Sequence, residues 1–189
     1  MNNGALKFHK VLKDSAHCAI DCVFNSDLVI EFTTSVKEDR FIAKLCRDYS
    51  KPLIVIDANN ITVDQSRFYR IATEIIKQTN LVPGKLTIFI TGAELFYMRK
   101  KFTQRMIDSF MTALLDVVKV VVNKQVEIIN IGKPGFEEAA IKAAYSFNIP
   151  STVFISEWKF MDVNGITVYG VEAFKARFPD MDNQLKLSF

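Results

Sequence analysis

The sequence predicts an α/β protein, a three-layer sandwich in which a mainly parallel sheet of about five strands carries helices on both faces. Five short apolar runs rich in β-branched residues recur along the chain, and segments with the 3.6-residue spacing of helices separate them. Several of these runs lack the alternation of polar and apolar residues that a half-solvated sheet shows. Strand then helix, repeated, with strands apolar on both sides, is the pattern of a parallel sheet buried between helices.

The elements follow in chain order. Residues 1–25 read as one amphipathic helix, about Leu6 to Phe24, leading into the first strand. The strands are Leu28 to Phe32, Leu53 to Asp57, Leu86 to Thr91, Val126 to Ile131 and Ser151 to Ile155. Between them, helical spacing covers Lys37 to Tyr49, Asp64 to Thr79, Leu95 to Val118 and Phe136 to Phe147. After Ile155 the pattern changes. Trp158 to Tyr169 reads as a short hairpin, because Asn164-Gly165 supplies the positive φ angles of a type I′ turn. Val171 to Phe178 reads as a last helix stopped by Pro179, and the tail beyond Asp180 as a loose terminus. No repeat, low-complexity tract or linker interrupts the chain. Residues 1–189 therefore read as a single domain, with the helix over 1–25 at one end and a hairpin-and-helix extension over 158–189 at the other.

Composition narrows the function classes. A chain of 189 residues, 49% of them hydrophobic, can bury about 70% of the surface its unfolded form exposes, which excludes disorder and disulfide scaffolds. The 24 basic and 21 acidic residues are interspersed, for a net charge of +3, so no basic stripe marks a duplex-binding face. Nucleic acid is not an expected partner. The three cysteines are odd in number, and the N-terminus lacks the basic start, apolar run and small-residue cleavage site of a secretory signal, which points to the cytoplasm. No metal site is expected, since Cys18-x3-Cys22 with His17 and Cys46 lacks the paired spacing of structural zinc, and the thiols read as buried and free. The longest apolar run, Val117 to Val122, is broken by Lys119 and too short for a bilayer, so no membrane partner is expected either.

Chemistry in an open parallel sheet gathers outside the carboxyl ends of the strands, where helix N-termini present unpaired N–H groups. The residues there are Thr33, Thr34 and Ser35, then Asp57 to Asn60, then Thr91, Gly92, Ala93 and Glu94. Gly132, Lys133, Pro134, Gly135, Phe136 and Glu137 follow the fourth strand, and Ser156, Glu157 and Trp158 the fifth. The chain has only 7 glycines, and three of them fall at these ends. Gly132-x-x-Gly135 before a helix can aim backbone N–H groups at an anion such as phosphate, with Lys133 adding a charge, or Gly135 can simply let the helix start close to the sheet. The loop is neither a Walker loop nor G-x-G-x-x-G, so ATP hydrolysis and ordinary dinucleotide binding lose support.

Four stretches carry a family resemblance: Thr91 to Phe96, Ile131 to Ala140, Asn148-Ile149-Pro150 and Glu157-Trp158. Together they resemble the SLOG superfamily, in its YpsA-like and circularly permuted YpsA-like branches. Asn25 to Phe32 and Ser50 to Asp57 resemble the other half of that family's pattern, here placed first, so the motif order is rotated. The resemblance spans about residues 25 to 158 and implies a Rossmann-like sheet that binds nucleotides or nucleotide-derived ligands of the ADP-ribose type. Three positions depart from it. Ile131 stands where the family has a glycine, Glu137 where it has Asp, and Ser50-Lys51-Pro52 where it has Gly-Lys-Pro. The glycine-rich phosphoribohydrolase motif has no counterpart in Thr33 to Arg40.

The leading expectation is a binding protein, a carrier, sensor or sequestering protein for a nucleotide or ADP-ribose-like ligand, without a cofactor. The binding candidates are Thr33, Thr34, Ser35, Thr91, Gly92, Ala93, Glu94, Gly132, Lys133, Pro134, Gly135, Phe136, Glu137, Glu157 and Trp158. A second reading is an enzyme cleaving or transferring at an N-glycosidic bond, with Glu38, Asp39 or Glu94 as its carboxylate. Two acids in a first helical turn also simply complement the helix dipole. Glu94 can equally accept from a ribose hydroxyl or cap the next helix, and Trp158 can stack on a base or cover the sheet end. Arg40 and Lys37 can bind an anion or lie solvated on an exposed helix, while His9 and His17, on the N-terminal helix, carry no catalytic role. A third reading is a degenerate scaffold acting through protein partners. Phe96, Tyr97, Phe102 and Phe110 exceed one face of the long helix and suggest a homo-oligomer, and the Lys-, Ile-, Asn- and Phe-rich composition suggests a phage source.

Overall fold

The computed structural model of the chain describes residues 6–11, 15–34, 40–98, 101–156, 159–161, 167–169 and 186–188. Its elements are β1 (Leu6–Val11), α1 (Ser15–Asn25), β2 (Leu28–Thr33), α2 (Phe41–Asp48), β3 (Leu53–Asp57), α3 (Gln65–Thr79) and β4 (Lys85–Gly92). There follow α4 (Leu95–Met98), α5 (Gln104–Val121), β5 (Gln125–Asn130), α6 (Phe136–Ser146), β6 (Ser151–Ser156), β7 (Lys159–Met161), β8 (Thr167–Tyr169) and β9 (Lys186–Ser188).

The five predicted strands lie side by side in the order β3-β2-β4-β5-β6, and every neighbouring pair is parallel. Ile30 of β2 stands between Ile54 of β3 and Ile90 of β4, and Ile128 of β5 between Ile88 of β4 and Ser151 of β6. Each strand feeds both faces. Leu28, Ile30, Phe32, Ile88, Ile90 and Ile128 pack with α3, α5 and α6 on one side. Val29, Phe89 and Ile129 pack with α1 and α2 on the other. Phe32 stacks on Phe136 with ring centroids 4.2 Å apart and meets Phe110 edge-on at 5.9 Å, so the end of β2 is welded to α5 and α6. Each such fully buried side chain contributes on the order of 1.5–3 kcal/mol of burial free energy. The result is a Rossmann-like α/β sandwich, and among the described residues no helix is long and apolar enough to cross a membrane.

Several expectations need correction. The N-terminal segment is not one helix. Leu6–Val11 is a strand paired in parallel with β6, placing His9 on a strand beside Phe154, and only Ser15–Asn25 is helical. The stretch 186–188, expected to be loose, pairs with β1, so among the described residues the sheet has 7 strands, with β3 and β9 at its edges. The hairpin does form, with Phe160 opposite Val168, although its turn residues and the predicted helix from Val171 to Phe178 lie outside the described residues.

The long helix from Leu95 is two helices. Thr103 adopts an extended conformation and its hydroxyl accepts from Met106 N–H at 3.3 Å, which caps a new start. Phe110 is fully buried and Phe102 packs against the same core, so they make no spare apolar face; the side chains of Phe96 and Tyr97 lie outside the described residues. The helix expected from Lys37 is described from Phe41 onward.

Candidate functional site

The chain leaves β2 toward β3 across the α2 face, then crosses by α3 on the opposite face to enter β4 on the other side of β2. Strand order therefore reverses between β2 and β4, and the diverging loops at such a point leave a crevice outside the carboxyl ends. A cleft of about 470 Å³ occupies this position. Thr33 and Thr34 line it from β2, Thr91, Gly92 and Ala93 from β4, and Lys133 with Ile131 from the loop after β5. Ala16 and Ala19 of α1, Arg40, Phe41 and Ile42 at the start of α2, and Glu31 of β2 complete the lining.

Glu31 is the one charged residue of β2, and its side chain is 9% exposed. Its Oε2 accepts from Arg40 Nε at 3.0 Å, and no hydrogen bond from a described residue reaches Oε1. Burial raises its pKa above the ordinary carboxylate value, opposed by the hydrogen bond and charge of Arg40. Arg40 is thus not on an exposed helix face; it is the N-cap residue of α2, without a side-chain cap bond, and its own side chain is 15% exposed. Phe41 and Ile42 of the first turn of α2 line the cleft beside it.

The loop after β5 folds around a carboxylate of its own. Glu137 is buried beneath it, accepting from Thr91 Oγ1 at 2.8 Å, from Ile131 N–H at 3.2 Å and from Lys133 N–H at 3.0 Å. The amides that the spacing Gly132-x-x-Gly135 could offer to a phosphate are in part spent on this internal anion. Gly135 N–H donates to Gln104 Oε1, and Gln104 Nε2 returns a bond to Gly135 O, both at 3.0 Å. Gly135 has φ +111°, and a Cβ there would meet Ala93 O and Leu95 N at 3.0 Å, so its glycine lets the loops after β4 and β5 touch. Leu95 N–H donates to Pro134 O at 3.2 Å across the same seam. Gly92 is also a packing residue, since a Cβ would lie 2.8 Å from Phe32 Cβ and O, inside the core.

Lys133 reaches from this loop to Glu94 Oε1 at 3.3 Å. Burial alone would lower its pKa, but the charges of Glu137 and Glu94 outweigh burial and hold it above the ordinary lysine value, so the ammonium stays charged. Burial likewise pushes Glu137 up, against the pull of Lys133 and the bonds it accepts.

Of the predicted residues, Thr33, Thr34, Thr91, Gly92, Ala93 and Lys133 come together around the cleft. Glu94 acts from beside it through Lys133. Pro134, Gly135, Phe136 and Glu137 are buried behind, where they hold the loop; Gly132, with φ +79°, shapes its turn. Ser35, Glu38, Asp39, Glu157 and Trp158 lie outside the described residues. Cys18, Cys22 and Cys46 are buried thiols; burial lifts Cys22 well above the ordinary value and Cys46 to about 11. Among the described residues no cluster of His, Cys, Asp and Glu side chains could hold a metal. Sequence reasoning passed over Glu31 and Phe41. The signal for Glu31 was present, as one acid inside a buried strand with an arginine nine residues on.

The chain matches no protein-family model, no curated protein and no solved structure. The resemblance to the SLOG superfamily therefore rests on the motifs alone.

Proposed function

We propose that the cleft between β2 and β4 binds a nucleotide or ADP-ribose-like ligand, and that the protein serves as a carrier, sensor or sequestering protein for it. The observation that supports this most is a cleft of about 470 Å³, the size of a small-ligand site, at the reversal of strand order. Its chemistry suits such a ligand. Lys133 Nζ keeps N–H donors beyond the one directed at Glu94, and the start of α2, whose N-cap residue Arg40 makes no side-chain cap bond, lines the same cleft, so an anionic group meets a cation and a helix N-terminus. Phe41, 48% exposed and lining the cleft, offers a ring face for a base.

The test is to denature the purified protein, identify any co-purified small molecule by mass spectrometry, and titrate AMP, ADP, NAD and ADP-ribose by calorimetry and thermal shift. Tight binding with the ligand recovered unchanged is the expected outcome. Lys133→Met should then weaken binding by about tenfold or more, the usual effect of losing a charge-assisted hydrogen bond. If none of these compounds binds, the proposal fails. Glu31, a carboxyl raised above its ordinary range and open to the cleft, favours cleavage of the N-glycosidic bond as the second reading. Release of free base, abolished by Glu31→Gln, would establish that reading in its place.

A further inference from the structure

We infer that the cleft takes a ligand with no more than one phosphate group, a nucleoside or nucleoside monophosphate, and that Glu94 sets this limit by competing with the ligand for Lys133. This rests on the cleft being a nucleotide-type site, and within that reading it sets pyrophosphates such as ADP-ribose aside.

A pyrophosphate needs several cations or a cradle of unspent backbone amides, because each phosphate brings charge that is costly to strip of water. At the ends of β4 and β5 the amides are spent. Ala93 N–H donates to Phe32 O at 2.9 Å and Leu95 N–H to Pro134 O at 3.2 Å. Ile131 and Lys133 N–H donate to the Glu137 carboxylate, and Gly135 N–H donates to Gln104 Oε1. Glu137 is an anion of the protein's own beneath the loop, and it also takes the hydroxyl of Thr91, a residue of the cleft lining.

The cations are spent as well. Among the described residues that line the cleft, Arg40 and Lys133 carry positive charge. Arg40 is paired with Glu31 at 3.0 Å. Lys133 is paired with Glu94 at 3.3 Å, their side chains 26% and 21% exposed, and the charge of Glu137 acts on it too. Two cations thus meet three carboxylates, and every charge a ligand brings adds to the excess. One phosphate can bind by taking Lys133 from Glu94. A second finds no unpaired cation among the described lining residues. Glu94 is bridged to Gly135, on the same loop as Lys133, which keeps the competitor beside the cation.

The experiment titrates adenosine, AMP, ADP, ATP and ADP-ribose by calorimetry at low salt into the wild type, Glu94→Gln, Glu94→Ala and the double variant Glu94→Gln with Lys133→Met. Circular dichroism checks that each variant keeps the fold. The wild type should bind AMP at least as tightly as adenosine, and ADP, ATP and ADP-ribose about threefold or more weaker than AMP. Both single variants should gain about threefold or more in affinity for AMP and ADP, with adenosine within about twofold of the wild type. Adding Lys133→Met should remove that gain. A gain confined to phosphate-bearing ligands is a result that a purely structural role for Glu94 does not produce. If the wild type binds ATP or ADP-ribose more tightly than AMP, or neither single variant gains affinity for phosphates, Glu94 does not set the limit and the binding site stands without it. If no member of the series binds, adenosine included, the site itself is wrong and this inference falls with it.

Discussion

Glu137 shows how one residue can decide whether a loop exists. Its two oxygens bind Thr91 of β4 and the amides of Ile131 and Lys133, and its charge sits beneath the Lys133 ammonium. Glu137→Ala leaves these donors and the cation without their acceptor, and should destabilise the protein by about 3 kcal/mol or more in urea unfolding. Glu137→Gln keeps an acceptor for the amides and should cost clearly less. The raised pKa also has a sign. The folded protein binds more protons than the unfolded chain between the ordinary glutamate value of 4.5 and the higher native value, so the contribution of Glu137 to stability falls as pH rises through that window. Urea midpoints of wild type minus Glu137→Gln should decline upward from about pH 4.5, and a flat difference would contradict the shift. From the sequence Glu137 stood out as a loop acid, but its partner Thr91 is 46 residues away, and no local pattern carries that pairing.

At the scale of elements, the strands and helices between Leu28 and Ser156 follow their local patterns closely, because burial on both sides of the sheet leaves a strong apolar signature. The failures are where two patterns overlap. Leu6 to Val11 fits a helical face and a strand equally, and only pairing with β6, more than 140 residues away, makes it β1. The break between α4 and α5 depends on Thr103, a residue that is ordinary inside a helix and strong at its start. Thr103→Ala should cost about 1 kcal/mol and raise hydrogen exchange first at Met106, where the capped N–H lies. Gly135→Ala tests the seam between the loops. Its φ of +111° and the 3.0 Å contacts to Ala93 O and Leu95 N predict a loss of about 2 kcal/mol or more, together with weakened ligand binding, since the same seam positions Lys133.

For the whole molecule, β1 binds β6 on one side and β9 on the other, so it joins the two ends of the chain. Removing residues 1–11 exposes the edge of β6 and leaves β9 without a partner. The melting temperature should fall by more than about 5 °C, and the cleft, built from α1 onward, should keep its ligand affinity. An unchanged melting temperature would mean that β1 contributes nothing to the sheet. The sequence by itself determined the α/β class, the five central strands and the strand ends that border the cleft, because each is written in the spacing of apolar residues within a short stretch. Only the tertiary structure decided the sheet of seven strands, the spending of loop amides on Glu137, and the meeting of Glu31, Arg40, Phe41 and Lys133 around one cleft. Those are contacts between distant segments, set by strand order and by which buried charges find partners, and the local spacing of residues carries no trace of either.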